Sequence, residues 1–309
     1  MNKGAAKPTV RQDSARDGWT LVHFGDLHLW HIGWDRDFYW KRLLGLANLM
    51  LRRGRRFPRT MALELVEQLS HETTAEAVLF SGDLSTTGLR EEFKAGRHLF
   101  HPLLKRHGNR FVAIPGNHDR YTPRVMQCKL FEHHFLGCAE QVYPFAIDLT
   151  DPWTVVAFDC SVPRRITSRG HMGERAMAQL HHCLERHGRR GRKLIALGHY
   201  PLVFPAGVPE RWNHAIPERG LLYDLLHENG VSIYLHGHRH ERWWVYEDGL
   251  HHFNCGSAGQ LDTHPSQSAG YLRIHLKAEG PESAEAVYWQ GLHRSGQWVR
   301  TPMEPRRLA

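Results

Sequence analysis

Five times along this chain an apolar run breaks at a glycine and delivers, within three residues, a side chain able to bind a cation. The corners are Gly25-Asp26-Leu27-His28, Gly82-Asp83, Gly116-Asn117-His118-Asp119, Gly198-His199 and Gly237-His238-Arg239-His240. Short apolar runs closed by turn residues read as buried strands, and α/β proteins build their sites on the loops leaving strand carboxyl ends. Taken singly, a Gly-Asp after a strand is a turn or a helix cap. A lone histidine is usually surface or core, and this chain has 25. Five corners in succession call for one cause: the strands end side by side, and their loops meet. Glycine at each corner lets the backbone turn sharply and approach closely.

The remaining pattern fits that arrangement. Strands are expected over 19–24, 77–80, 111–114, 153–158, 193–197 and 231–235, with helices over 58–70, 91–107, 124–135, 174–187 and 218–229. After His240 the pattern changes to alternating strands over 242–247, 250–254, 271–276 and 286–290. No repeat or low-complexity linker interrupts the chain. The expectation is a single α/β domain over 19–295, strand-loop-helix in its first two thirds and antiparallel at its end. Residues 1–18 read as a polar N-terminal tail and 296–309 as a C-terminal tail.

At 309 residues and 41% hydrophobic content the chain can bury a sizeable core. Its formal net charge of +8 favours an anionic partner. The five cysteines are scattered and odd in number, as expected of reduced thiols in a cytoplasmic protein. No apolar run approaches the ~20 residues that span a bilayer, and no signal-peptide core is visible. His98, His101, His107, His133, His134, His181, His182, His187, His251 and His252 are read as helix or strand surface. Asp159 is either a support behind the site or a turn residue. Arg164, Arg165, Tyr200 and Asn213 are weaker candidates for the pocket.

Carboxylate, imidazole and amide oxygen together suit borderline-hard divalent metals, whereas Cu(I) or an Fe–S cluster would want thiolates. Two cations close together need a shared anion, and Asp83 can bridge them. A pair ~3.5–4 Å apart stabilises both the attacking and leaving oxygens of a phosphoryl displacement.

The ordered set of corners resembles the calcineurin-like metallophosphoesterase superfamily. The resemblance implies an α+β four-layer fold, two mixed β-sheets packed as a sandwich and flanked by helices, with a dinuclear site at the strand ends. It implies that Asp26, His28 and His240 hold one metal, Asn117, His199 and His238 the other, and Asp83 bridges. It implies catalytic roles for His118, which contacts the substrate phosphate and protonates the leaving group, and for Asp119, which orients His118 or caps the turn. Mn²⁺ is the first expectation for the two metals, with Fe or Zn²⁺ as alternatives, and a metal-bound hydroxide is the implied nucleophile.

Neighbouring residues narrow the group. Protein Ser/Thr phosphatases carry Asp-Arg shortly after the bridging Gly-Asp, but Leu84-Ser85-Thr86-Thr87-Gly88 stands here. Purple acid phosphatases place a tyrosine where this chain has Thr86. The insertion 30–59 carries Trp30, Trp34, Phe38, Tyr39, Trp40 and Phe57 among arginines. It reads as a packing helix, or as a cap that touches an anionic lipid surface. Tyr39-Trp40-Lys41-Arg42-Leu43-Leu44-Gly45 and Asn254-Cys255-Gly256-Ser257 are similar to the chlamydial-type UDP-2,3-diacylglucosamine pyrophosphatases. That resemblance implies a phosphodiester- or pyrophosphate-cleaving hydrolase on a nucleotide-lipid substrate, cytoplasmic and peripheral to the inner membrane through 30–59. A cyclic-nucleotide or general phosphodiesterase acting on small soluble substrates is the alternative. Nucleic acid is the less favoured partner, because no separate basic module accompanies the charge.

Overall fold

Parallel strands bring their carboxyl ends to one edge of a sheet, and this chain uses two such sheets. A computed structural model describes residues 18–33, 54–136, 142–291 and 295–308. In the first sheet β1 (Trp19–Phe24), β2 (Ala75–Phe80) and β3 (Phe111–Ala113) run parallel. Helix α1 (Arg59–His71) links the first pair, and α2 (Arg90–Leu99) and α3 (His101–His107) link the second. After β3, α4 (Pro123–Gln127) and α5 (Leu130–Phe135) lead toward the second sheet. There β4 (Phe145–Thr150) pairs antiparallel with β5 (Trp153–Ala157). The strands β5, β6 (Lys193–Leu197) and β7 (Val231–His236) run parallel, connected by α6 (Glu174–Gly188) and α7 (Arg219–Glu228). β8 (Arg242–Glu247) and β9 (Leu250–Cys255) form a hairpin at the edge, β9 lying parallel to β7. The chain then returns to the first sheet as β10 (Gly270–Leu276), β11 (Pro281–Gln290) and β12 (Gln297–Met303). The strand orders are β12-β11-β10-β1-β2-β3 and β4-β5-β6-β7-β9-β8.

Alternation along the strands divides the apolar residues into three layers. Leu21, Leu79, Val155, Ile195, Ile233, Phe253 and Ile274 fill the space between the sheets. Val22, Phe24 and Phe80 face outward onto Leu65 and Leu69 of α1 and Phe93 of α2. Val156, Ala196 and Tyr234 face the opposite way, onto Leu180 and Leu184 of α6 and Leu222 and Leu226 of α7. Both sheets are mixed, and the order helix–sheet–sheet–helix is the expected four-layer sandwich.

Four expectations change. Residues 297–303 are not tail: they pair with β11 from Gln297↔Gln290 to Met303↔Ala284. The helix expected over 91–107 is two helices, with Phe100 between them and Pro102 in the first turn of the second. Residues 124–135 likewise divide, at Lys129, whose φ of 46° is left-handed. His252, read as surface, is fully buried beside Tyr223 and Tyr234, and burial pulls its imidazole down to about 3; His107 is also buried. Residues 1–17, and 34–53 of the Trp/Arg-rich insertion, lie outside the described residues. Among the described residues no helix is long and apolar enough to cross a membrane, and Cys128, Cys160, Cys183 and Cys255 are free thiols.

Candidate metal centre

The parallel pairing of β1 with β2 continues past the strands. The amides of Asp26, His28 and Leu29 donate to the carbonyls of Gly82 (2.8 Å), Asp83 (3.0 Å) and Leu84 (2.7 Å). The first two corners are thereby locked side by side. The second sheet arrives from across the sandwich. The amide of Gly237 donates to the His199 carbonyl (3.0 Å), and the amide of His238 to Asp26 Oδ2 (2.8 Å). All five corners meet at one end of the molecule.

Three sets of ligand atoms lie within 4.8 Å of one another: Asp26–His28–His240, His28–Asp83–His118 and Asp83–His199–His238. Asp83 stands in the middle. Its Oδ2 is 3.8 Å from His28 Nε2 and 3.6 Å from His199 Nε2, and its Oδ1 accepts the His118 amide (2.7 Å). Asn117 joins the second group through Oδ1, 3.2 Å from His199 Nε2. His238 Nδ1 is 3.3 Å from that same nitrogen, and His240 Nε2 is 2.9 Å from His28 Nε2 and 3.1 Å from Asp26 Oδ1. Every sequence-predicted ligand is therefore in the cluster, and His238 and His240 face different halves of it.

Local geometry bears the mark of this convergence. Seven non-glycine residues among those described have left-handed backbone, and five of them are Asp26, His28, Asp83, His238 and His240, at φ 52–72°. Each such residue costs about 1–2 kcal/mol. Such conformations persist only where the surroundings over-determine them.

Hydrogen bonds from behind fix three of the imidazoles. His199 Nδ1 donates to the Ser81 carbonyl (2.7 Å), so its Nε2 is the nitrogen turned inward. Gln260 uses its amide nitrogen on Asp262 and on the Gln267 carbonyl, leaving Oε1 to accept from His240 Nδ1 (3.2 Å). His240 Nε2 is thus also the inward nitrogen. His118 Nδ1 donates to the Thr86 carbonyl (2.6 Å), which turns Nε2 toward the cleft.

The donor set fits divalent cations. Asp26 Oδ1 is buried without a hydrogen-bond partner among the described residues. Burial works against charge on His199, but Asp83 and Asp26 outweigh it and draw its imidazole up to about 9. A cation at Nε2 would replace that proton and satisfy the same carboxylates. Burial would raise the Asp83 carboxyl, yet His199, His118 and His28 hold it well below the usual carboxylate range.

A family model described as calcineurin-like phosphoesterase matches residues 20–242. The chain is a calcineurin-like phosphoesterase. The chain is similar to a cAMP/cGMP dual-specificity phosphodiesterase of Mycobacterium tuberculosis, 27% identical over 229 residues. That alignment covers 73% of this chain and 63% of the relative's length. A dimetal phosphatase from Danio rerio has the same fold at TM-score 0.57 and 15% identity, covering 94% of this chain and 100% of that one. GAP50, the anchor in the inner membrane complex of Plasmodium, superposes at TM-score 0.51 and 11% identity, over 94% of this chain and 90% of that one.

In this calcineurin-like phosphoesterase, Asp119 does something other than orient the His118 ring. It is fully buried, and it accepts from the amides of Leu84 (3.1 Å), Ser85 (2.8 Å) and Gly116 (3.0 Å) and from Ser85 Oγ (2.8 Å). It ties the second corner to the third, while the Thr86 carbonyl orients His118. Burial, and Asp83 nearby, push its carboxyl up to about 6. Asp159 does support the site: its Oδ2 accepts from Arg120 Nη2 (2.8 Å) and Nε (3.0 Å), and Arg120 also pairs with Glu132. This buried network anchors the Asn117–Arg120 loop. Tyr200 packs behind the ligands, its ring 4.5 Å from that of His238. Arg164 and Arg165 are exposed and do not line the cleft.

The cleft over the cluster has a volume near 370 Å³, with Asp83, Asn117, His118, His238 and His240 on its floor. Its walls include Ser168, Arg211, His214 and Gln267, none of which stood out in the sequence. His214 packs on His238 with ring centroids 5.3 Å apart. Its only sequence signal was its place in the proline-rich loop after the fourth corner.

Proposed function

We propose that this chain is a dinuclear-metal phosphodiesterase of small anionic organic phosphates, with cyclic nucleotides the first class to assay. The observation that carries this reading is the convergence of Asp26, His28, His240 on one side of Asp83 and Asn117, His199, His238 on the other. The M. tuberculosis relative, a cAMP/cGMP phosphodiesterase, supports the substrate class.

The two divalent metals, Mn²⁺ first among the candidates, would supply Lewis-acid activation of the scissile phosphate and of water. Asp26, His28 and His240 would hold one and Asn117, His199 and His238 the other, with Asp83 shared. The remaining work falls to the chain. His118, held through Nδ1 by the Thr86 carbonyl, presents Nε2 to the cleft and in its protonated form donates to the leaving oxygen. Asp119 holds the His118 loop against the Asp83 loop, and the Arg120–Asp159 pair ties it to the chain leaving β5, so the donor keeps its position.

The lipid-linked pyrophosphatase reading rests on the insertion 30–59, most of which lies outside the described residues, and the comparisons add nothing to it. The deciding experiment is hydrolysis of 3′,5′-cyclic AMP and bis(p-nitrophenyl) phosphate by purified protein with Mn²⁺ and with chelator. Turnover that needs metal and no lipid supports the proposal. Turnover of UDP-2,3-diacylglucosamine alone would restore the lipid reading.

A further inference from the structure

The cleft carries more positive charge than hydrolysis of one phosphate explains. Three arginines line it: Arg56, Arg211 and Arg239. Arg56 is paired with Asp262 at 3.2 Å. The other two make no ion pair among the described residues, and the nearby acids are already engaged. Glu210 pairs with Arg219 (2.6 Å) and Glu241 with Arg306 (3.3 Å).

Arg239 is nonetheless held in place. Its Nη2 donates to the Pro209 carbonyl (3.1 Å), and its guanidinium lies 5.6 Å from the centre of the Phe204 ring. A neutral carbonyl and an aromatic face fix the side chain without cancelling its charge. The same contact brings the Pro209 segment, and with it Arg211, to the wall where Arg239 stands. Two like charges on one cleft wall repel one another, and their placement becomes favourable when an anion lies between them.

We propose that Arg211 and Arg239 form a second anion subsite, taking a phosphate other than the one cleaved. Small diesters such as cyclic nucleotides then occupy the cleft floor without filling this subsite, and the substrates it favours are nucleotide esters or anhydrides carrying a second phosphate. This rests on the phosphodiesterase reading of the cleft floor, which places the scissile phosphate over Asp83 and Asn117. The cleft volume near 370 Å³ is within the range that accepts a nucleotide-sized ligand.

The test is calorimetric binding of ADP and of AMP to the Mn²⁺-loaded protein. The native protein should bind ADP roughly ten- to a hundredfold more tightly, the range for one additional charge-assisted contact. Arg211→Ala should shrink that ratio severalfold. Arg211 is exposed, so the variant should melt with the native protein. Arg239→Lys, which keeps the charge and loses the fork, should shrink it partially. Equal affinities in the native protein, or variants that weaken ADP and AMP by one common factor, overturn the subsite. An arginine-dependent preference for ADP without metal-dependent diesterase activity would instead sink the catalytic reading and leave the subsite standing.

Discussion

Asp26 and His238 stand 212 residues apart in the chain, and the backbone amide of one holds the carboxylate of the other at 2.8 Å. The contact needs the glycine before His238. A Cβ on Gly237 would lie 2.3 Å from Asp26 Oδ2. Gly237→Ala should therefore push Asp26 out of position and lower metal affinity on that side about 10- to 100-fold, the usual effect of disturbing a ligand's support. Metal stoichiometry by elemental analysis would show it; two full equivalents with unchanged affinity would refute the coupling.

Gly116→Ala is expected to be worse. A Cβ there would stand 2.2 Å from Asp83 Oδ1, so the substitution strikes the carboxylate shared by both halves. Both equivalents of metal should weaken together, in contrast to the single loss in Gly237→Ala.

The two histidines of the last corner should separate. His238→Ala is expected to impair the metal shared with His199 and Asn117, and His240→Ala the one shared with Asp26 and His28. Titration of each variant with Mn²⁺, read by paramagnetic resonance, should show different sites lost. Loss of the same site in both would end this assignment.

His118→Ala should retain both metals while kcat falls about 10²–10⁴-fold, the range for a lost general acid. The deficit should shrink for substrates whose leaving group needs no proton, such as p-nitrophenolate. An equal deficit on every leaving group would point to lost positioning instead.

Glu92 offers a test of stability. It is buried, it accepts from Thr87, Leu89 and His31, and burial still lifts its carboxyl to about 7. The folded chain then binds a proton that the unfolded chain has released. This contribution is full below the ordinary pKa of 4.5 and fades as pH rises toward 7. It amounts to ~3 kcal/mol at most. Denaturant unfolding at several pH values should show that Glu92→Gln flattens the wild-type decline across that window. Parallel curves would show that Glu92 does not titrate there.

The corners were legible because each couples two strong local signals, an apolar strand and a glycine followed by a ligand. Asp26, His28, Asp83, Asn117, His199, His238 and His240 are all brought together by strands that the hydrophobic pattern marks. The sheet edges were not legible. β4 and β12 are half-exposed, and Pro302 argues locally against a strand that exists only because β11 lies beside it. The roles of Thr86 and His214 also escaped, for a different reason. Thr86 acts through its carbonyl, which every residue possesses, and His214 reaches the cleft through an irregular loop whose path no periodicity encodes. Asp119 was expected to orient His118 or cap the turn; its tie to the second corner escaped, because its partners there are backbone amides that only the folded loops supply.

The left-handed backbone at Asp26, His28, Asp83, His238 and His240 has a consequence for the history of such a protein. Glycine would sit at those angles more comfortably than aspartate or histidine. Shedding the histidines would relieve that strain, whereas losing Asp26 or Asp83 would also strand the amides of His238 and His118 that they hold. In a lineage released from selection for hydrolysis, the histidines would go first and the two aspartates would outlast them as structural ties.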